Sequence, residues 1–223
     1  MYFARKICTT FPETLHSFPK DKGEFFGAIV RPELKQCDSE RGRTICGFHR
    51  EKPVIFVAGG SLGSVQINYL IRMLLDTLLP KFQVIHICGK GNIDSSLRQE
   101  GYKQFEYVLD ELPHLMSLAD LVISRAGSNF IFEFLYLQKP MILIPLPKGA
   151  SRGDQIENAK VFQAQGFAET IFEEDLTPDR LLELILTMFA AYDQYVNNMN
   201  KWSDEASLSK LLSIINNASL KEV

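Results

Sequence analysis

Three segments of this sequence combine glycine with hydroxyls, two of them with charge as well, the mixture that holds an anion or a sugar. The first, Gly59-Gly60-Ser61-Leu62-Gly63-Ser64, follows an apolar run and precedes a helical pattern. Glycine lets the backbone approach a guest closely, and a helix start carries partial positive charge, so a phosphate or diphosphate is the natural ligand. The competing reading is conformational, since a tight turn with positive φ uses glycine for that reason alone. Two familiar nucleotide motifs are excluded. No Gly-Lys-Ser/Thr closes the turn, so it is not a Walker loop. The next strand ends Cys88-Gly89-Lys90, without the acid that holds the ribose of NAD.

The second segment, Ser124-Arg125-Ala126-Gly127-Ser128-Asn129, again joins a strand end to a helix start, with Ser128 either an N-cap or a ligand contact. Glu133 follows within Phe130-Ile131-Phe132-Glu133-Phe134-Leu135-Tyr136, a helix apolar almost all round. A carboxylate buried there is costly unless hydrogen-bonded. Two ribose hydroxyls would serve, as would nearby backbone N–H groups. The third segment runs from Lys148 to Ala159, where Asp154 and Gln155 open a helix and offer acceptors and an amide donor to sugar hydroxyls. Asp154 could also cap that helix, and Asn158 could brace the loop.

The histidines carry less. His86 lies within an apolar strand and reads as a core residue, while His16, His49 and His114 have no recognisable partner. No Ser-His-Asp spacing or carboxylate pair is assignable, so the catalytic residue stays unknown.

The elements that position these segments alternate regularly. Strands are expected at Val54 to Ala58, Phe82 to Cys88, near Phe105 to Val108, Asp120 to Ser124, Pro140 to Pro145 and Phe167 to Phe172. Helices are expected at about Ser64 to Leu79, as a short piece after Gly91, and at Leu112 to Leu118, Ser128 to Leu137 and Asp154 to Gln165, the last stopped by Gly166. Thr177-Pro178 opens a further helix, and the tail from Leu181 to Ala218 is helical. Continuous apolar strands alternating with helices predict an α/β fold, a doubly wound parallel sheet of Rossmann type, with ligands beyond the carboxyl ends of the strands. Residues 1–50 are broken by Pro12, Pro19, Gly23, Gly27 and Pro32 and end in a polar stretch with no expected helix. The expected division is 1–50, a remnant of a preceding domain and its linker; 51–186, the ligand-binding domain; and 187–223, a helical tail.

The 223 residues are 46% hydrophobic and 23% charged with a net charge of -3, which suits one globular domain with an appendage and gives no basic field for nucleic acid. Cys8, Cys37, Cys46 and Cys88 form no C-x-x-C pair and no histidine cluster joins them, so free thiols are expected and a zinc site is not. No apolar run reaches the roughly 18 residues of a spanning helix. The first ten residues hold no apolar core of a signal peptide, so a cytoplasmic location is expected, with any membrane contact peripheral.

The ordered set GGS-x-G, then S-R-x-G with a glutamate six residues past its glycine, then D-Q-x-x-N-A, resembles the C-terminal half of the bacterial UDP-N-acetylglucosamine transferases that form lipid II in peptidoglycan synthesis. Thr9 to Thr14 and Gly27 to Arg31 resemble segments just before that half, so the likeness runs from about Thr9 to Leu186. It implies a GT-B glycosyltransferase fold and inverting transfer without a metal or other cofactor. It also implies that Gly60, Ser61 and Gly63 lie near the diphosphate or sugar and that Arg31 helps hold the diphosphate. Arg125, Ala126, Gly127 and Ser128 would line the uracil pocket, Glu133 would hold the ribose, and Asp154 and Gln155 would contact the N-acetylglucosamine. The family's acceptor-binding domain, with its presumed base region, has no counterpart here. The lipid-linked acceptor would therefore be reached through a missing domain or a partner chain. The apolar face of the last helix (Leu208, Leu211, Leu212, Ile214, Ile215) could pair with such a partner or with a second copy. A nucleotide-sugar-binding module without transfer activity is the alternative.

Overall fold

The computed structural model describes residues 4–60, 62–202 and 207–219. The chain divides into two units, Met1–Val30 with Trp202–Val223, and Arg31–Lys201. In the first unit, β1 (Ile7–Thr9) and β2 (Gly23–Phe25) pair in parallel with Ile7 opposite Gly23. A 3-10 turn, Pro12–Ser17, lies between them. The C-terminal helix Ser207–Ser219 belongs to the same unit, with Lys210 Nζ 5.3 Å from the centre of the Phe25 ring.

The larger unit begins with a second 3-10 turn, Pro32–Gln36, anchored by Leu34 at 2% exposure. Next comes α1 (Ser39–Cys46), where the sequence pattern suggested no helix. Its apolar face is too narrow to read, because only Gly42 and Cys46 are buried. Its ends are nonetheless well defined. Asp38 accepts from the N–H groups of Glu40 and Arg41, and Gly47 at φ 69° closes the helix. A methyl on Gly42 would collide with the His114 carbonyl, so this glycine sets how closely α1 approaches the next element it packs on.

The sheet follows. Strands β3 (Val54–Ala58), β4 (Gln83–Ile87), β5 (Tyr102–Phe105), β6 (Leu121–Ser124), β7 (Met141–Leu143) and β8 (Ala168–Thr170) are all parallel, in the order β5-β4-β3-β6-β7-β8. Every residue of β3 and β4 is buried, which is why β3 reads as an apolar run rather than as alternation, while β4 buries Gln83 and His86 as well. The chain leaves β3 in one direction to build β4 and β5, then returns to its other side to build β6, β7 and β8. The order therefore reverses between β3 and β6, and a crevice opens at such a point above the carboxyl ends of the strands.

Helices α2 (Val65–Leu78), α3 (Leu112–Leu118), α4 (Ser128–Tyr136), α5 (Asp154–Ala164), α6 (Pro178–Ala190) and α7 (Tyr192–Met199) fill the connections and the tail. Ile67, Leu70, Ile71, Leu74, Leu75 and Leu78 form the buried stripe of α2, and it meets Leu181, Leu184, Ile185 and Met188 of α6 in the main core. Each such side chain contributes roughly 2 kcal/mol by leaving water. On the opposite face Phe134 of α4 packs edge-on to Phe56 of β3 at 5.2 Å between ring centres.

Two expectations need correction. No helix forms between Gly91 and Gly101. Instead the Gln104 carboxamide accepts from Asp94 N–H and donates to the carbonyl of Asp94, folding the segment as a turn-rich loop. The third strand lies at Tyr102–Phe105 rather than near Phe105 to Val108, because Tyr102 rather than Val108 stands in register with Val84. The apolar Tyr107 and Val108 are left for a different role.

Candidate functional site

A cleft of about 760 Å³ lies at the switch point. The turn after β3 supplies Gly59, Gly60, Leu62 and Gly63; the turn after β6 supplies Arg125, Gly127, Ser128 and Asn129. Gln155 at the start of α5 and Leu146 after β7 close one side. Ile87, Tyr107, Val108, Leu112 and Phe130 make an apolar wall. Sequence reasoning missed this wall. Its only trace in the sequence is the apolar Tyr107-Val108 pair, within the stretch where the pattern predicts a strand.

The glycines serve different ends. A methyl on Gly63 would strike the Cys88 carbonyl, and one on Gly89 would strike the Leu62 carbonyl, so these two lock the β3 turn against the end of β4. At Gly60 (φ 94°) the nearest atom to such a methyl is the Arg125 side chain at 3.9 Å, and at Gly127 there is nothing within 4 Å. Those two leave room for a guest. Ser61 lies outside the described residues.

Among the described residues lining the cleft, Arg125 is the only charged one, and it is 9% exposed. Two of its guanidinium nitrogens are engaged: Nη1 donates to the Ile144 carbonyl (3.1 Å), and Nη2 donates to Ser64 Oγ (3.1 Å) and pairs with Glu173, while Nε is buried without a partner. It ties the β3 turn, the end of β7 and the turn after β8 together, so besides lining the cleft it braces the segments that form it. Ser64 also caps α2, accepting from Ile67 N–H. The starts of α2 and α4 adjoin the cleft, and helix N-termini carry backbone N–H groups that suit negative charge.

At the second turn the cap of α4 is Gly127, not Ser128, which is the first helical residue and faces the cleft. Ala126 is fully buried, and its carbonyl accepts from Asn158 Nδ2 at 2.9 Å, so Asn158 does brace the loop. At the third segment Gly153 (φ 87°) occupies the cap of α5, and Asp154 neither caps the helix nor lines the cleft. Gln155 accepts from Leu146 N–H through Oε1 at 3.1 Å, which leaves its NH2 group as the one available to a ligand.

Glu133 is 4% exposed and is not among the residues that line the cleft. Its Oε1 accepts from Arg31 Nε at 2.6 Å, and its Oε2 is buried without a hydrogen-bond partner. The structure thus joins Arg31 to Glu133. The cleft gathers Gly60, Gly63, Arg125, Gly127, Ser128 and Gln155, while Arg31, Ala126, Glu133 and Asp154 stand outside its wall.

The histidines resolve individually. His86 is fully buried, with Nδ1 2.8 Å from Tyr102 Oη and Nε2 2.9 Å from Asn68 Oδ1. Burial first, then the Arg72 charge, lowers its pKa to about 3. His114 Nδ1 accepts from Asp38 N–H at 3.0 Å, a partner not visible in sequence, and exposed His49 pairs with Glu100. All four cysteines are free. Among the described residues no three His, Cys, Asp or Glu side chains gather in a way that would hold a metal ion.

The sequence pattern of the glycosyltransferase family 28 C-terminal domain matches residues 54–214. The UDP-N-acetylglucosamine--N-acetylmuramyl-(pentapeptide) pyrophosphoryl-undecaprenol N-acetylglucosamine transferase of Geobacillus kaustophilus is 56% identical over 216 residues, which is 96% of this chain and 60% of the relative. The transferase of the same description from Geobacillus thermodenitrificans is 52% identical over 97% of this chain and 61% of its own length. The chain thus spans about three fifths of the curated relatives it matches. The crystal structure of Acinetobacter baumannii MurG superposes with a TM-score of 0.73 at 21% identity, covering 97% of this chain and 61% of that one, a likeness of fold.

Proposed function

The chain belongs to the glycosyltransferase family 28 C-terminal domain family, and from that premise we propose that it is the donor-binding half of an inverting UDP-N-acetylglucosamine transferase. The acceptor would be a polyprenyl-diphosphate-linked sugar of peptidoglycan synthesis. The observation that carries this reading is the cleft at the switch point, where two glycine-bearing turns open onto one space. The apolar wall suits a flat uracil ring. The backbone N–H groups at the starts of α2 and α4 suit a diphosphate, and Glu133 Oε2 suits a ribose hydroxyl. Gln155 offers its NH2 group to the sugar.

In the transfer, an acceptor hydroxyl attacks the anomeric carbon as the bond to UDP breaks, and negative charge grows on the departing diphosphate. Fixed N–H dipoles aimed at that charge stabilise it more in the transition state than in the bound donor. No metal is required for that role. The acceptor and the base that takes its proton are assigned to the part of the relatives that this chain does not span, in the same polypeptide or in a partner chain. The reaction would take place at the cytoplasmic face of the membrane, reached peripherally; among the described residues no helix is long and apolar enough to cross it.

Calorimetric titration with UDP-N-acetylglucosamine, with UDP-glucose and NAD as comparators, tests the reading. Selective binding of the N-acetylglucosamine donor is expected. Binding of NAD in preference to any uridine nucleotide would overturn it.

A further inference from the structure

Helix α2 is apolar on two sides. Its inner stripe is buried in the main core with α6. On its outer side Val65, Tyr69 and Met73, at four-residue spacing, are exposed by 78, 62 and 54%. A surface helix ordinarily turns charge outward, and α6 does so, with exposed Arg180 and Glu183 paired. Of the eight large apolar side chains exposed among the described residues of the larger unit, seven lie between Leu62 and Leu109. Such gathering marks an interaction surface, whereas single exposed apolar residues are scattered over any protein.

A groove of about 460 Å³ lies alongside this ridge, with Val65, Tyr69 and Met73 lining one side and Asn92, Asp94 and Leu97 of the loop after β4 lining the other. The loop is a firm wall. Arg72 of α2 donates to the Asn92 carbonyl and to Gln104 Oε1 (3.0 Å), and the same Oε1 accepts from Asp94 N–H. Ridge and groove therefore share one face and are held in a fixed relation.

Charge selects the occupant. The groove is lined by Arg72 and Asp94. Beyond it stand exposed Arg98 and exposed Asp76, whose Oδ1 accepts from Gln99 at 3.3 Å. Two charges of each sign give no basic excess to draw the helix onto an anionic bilayer. They suit a copy of the same face turned by a two-fold rotation, in which every contact is made twice. At these exposures, and with roughly 150–200 Å² for a fully exposed side chain of this size, Val65, Tyr69 and Met73 present about 350 Å² of apolar surface. The polar rim brings the face to roughly 600 Å², half of an interface at the small end of the specific ones.

We propose that this face pairs with itself: two copies of the chain associate about a two-fold axis, the α2 ridge of each seated in the groove of the other. Tyr69 and Met73 are the anchors, being side chains of the kinds that interfaces concentrate. The groove and the cleft share no lining residue, so the pairing does not rest on the donor reading.

Sedimentation velocity on the full chain, from about 1 to about 100 µM, tests it, since an interface of this size should half-associate in the micromolar range. A concentration-dependent shift from one chain mass to two is expected. Tyr69→Glu combined with Met73→Glu sets like charges against each other across the axis and should raise the midpoint by about thirtyfold or more. The melt of that variant should stay in place, because both side chains are exposed. Should it fail to fold, Tyr69→Gln and Met73→Gln taken singly carry the test, each raising the midpoint by about tenfold. Leu212→Glu on the last helix should leave the association unchanged. One chain mass at every concentration overturns the proposal, and flotation of that monomer with phosphatidylcholine vesicles would give the face to a lipid surface instead. Association that persists unchanged in the α2 variants, or that Leu212→Glu alone abolishes, overturns it as well, because another face then makes the contact.

Discussion

Two adjoining regions at the carboxyl edge of the sheet treat their polar groups and their glycines in opposite ways. Under β4, His86 has a partner on each ring nitrogen, and Asn68 passes the chain on to the Cys88 carbonyl at 2.8 Å. Gly63 and Gly89 stand so close to the facing backbone that neither admits a methyl. On the other side, Glu133 of α4 keeps one buried oxygen open, and in the crevice between β3 and β6 Gly60 and Gly127 leave free space. Both regions bury polar atoms and both use glycine, so residue type alone does not tell them apart. The difference lies in completeness: a finished network holds the scaffold, whereas an unfinished one has room and need for a guest.

The sharpest way to break the closed side is Gly63→Ala. A side chain at φ 78° costs about 1–2 kcal/mol, and the collision with the Cys88 backbone adds about 1–3 kcal/mol of overpacking. A loss of roughly 3 kcal/mol in a urea melt is expected from these two terms. A melt indistinguishable from that of the unsubstituted chain would mean that the turn relaxes freely and that Gly63 belongs with the open side.

The same side should be legible in pH. Asn68 turns its NH2 toward Cys88, so its Oδ1 faces His86 Nε2 and must accept from it. His86 is then neutral, with Nδ1 accepting from the Tyr102 hydroxyl. Its folded pKa of about 3 lies below the unfolded value of 6.5, so the unfolded chain takes up a proton first as pH falls. Stability from this residue is complete above pH 6.5 and is lost progressively down to about pH 3, with a slope near 1.4 kcal/mol per pH unit. At pH 5 the loss from this group should be about 2 kcal/mol relative to pH 7. His86→Gln should flatten the pH dependence of stability in that interval by one proton, and an unchanged slope would show that His86 is not the group that titrates.

These networks explain which parts of the fold could be read from the sequence. The strand β3 was visible because burial on both faces leaves an unbroken apolar run, whereas β4 keeps Gln83 and His86 within its buried stretch. Helix α3 was legible at its observed limits, Leu112–Leu118, between the loop after β5 and the apolar strand β6. Helix α1 was hidden, since a helix that buries only Gly42 and Cys46 has almost no stripe. The β5 register was misread because Val108 is apolar for the cleft and not for the sheet. At the site, the glycine turns were evident from composition. The occupation of Arg125 by Ser64, Ile144 and Glu173 was not, because those partners converge only when four separate segments meet.

On the open side, Glu133→Gln tests whether the unfinished carboxylate serves a ligand. The side chain keeps its shape, and Arg31, being 36% exposed, can return to water, so the melt should move little. Affinity for UDP should fall about tenfold, near 1.4 kcal/mol. If instead cooperative unfolding is lost, Glu133 is part of the scaffold and the contrast with His86 disappears.

The smallest effect on the fold, and the cleanest separation of the two kinds of glycine, should come from Gly127→Ala. At φ -69° the backbone accepts alanine without strain, and no atom stands within 4 Å of the new methyl. Alanine is a poorer helix cap than glycine by a few tenths of a kcal/mol or more, but it restricts the unfolded chain by a similar amount. Stability should therefore stay within about 0.5 kcal/mol of the unsubstituted chain. The methyl nonetheless projects into the cleft where the start of α4 would meet its guest. A several-fold loss of UDP affinity with an unchanged melt would separate it from Gly63→Ala, which damages the fold first. An unchanged affinity would mean that the ligand keeps away from this turn, leaving the β3 turn as the sole contact for the diphosphate.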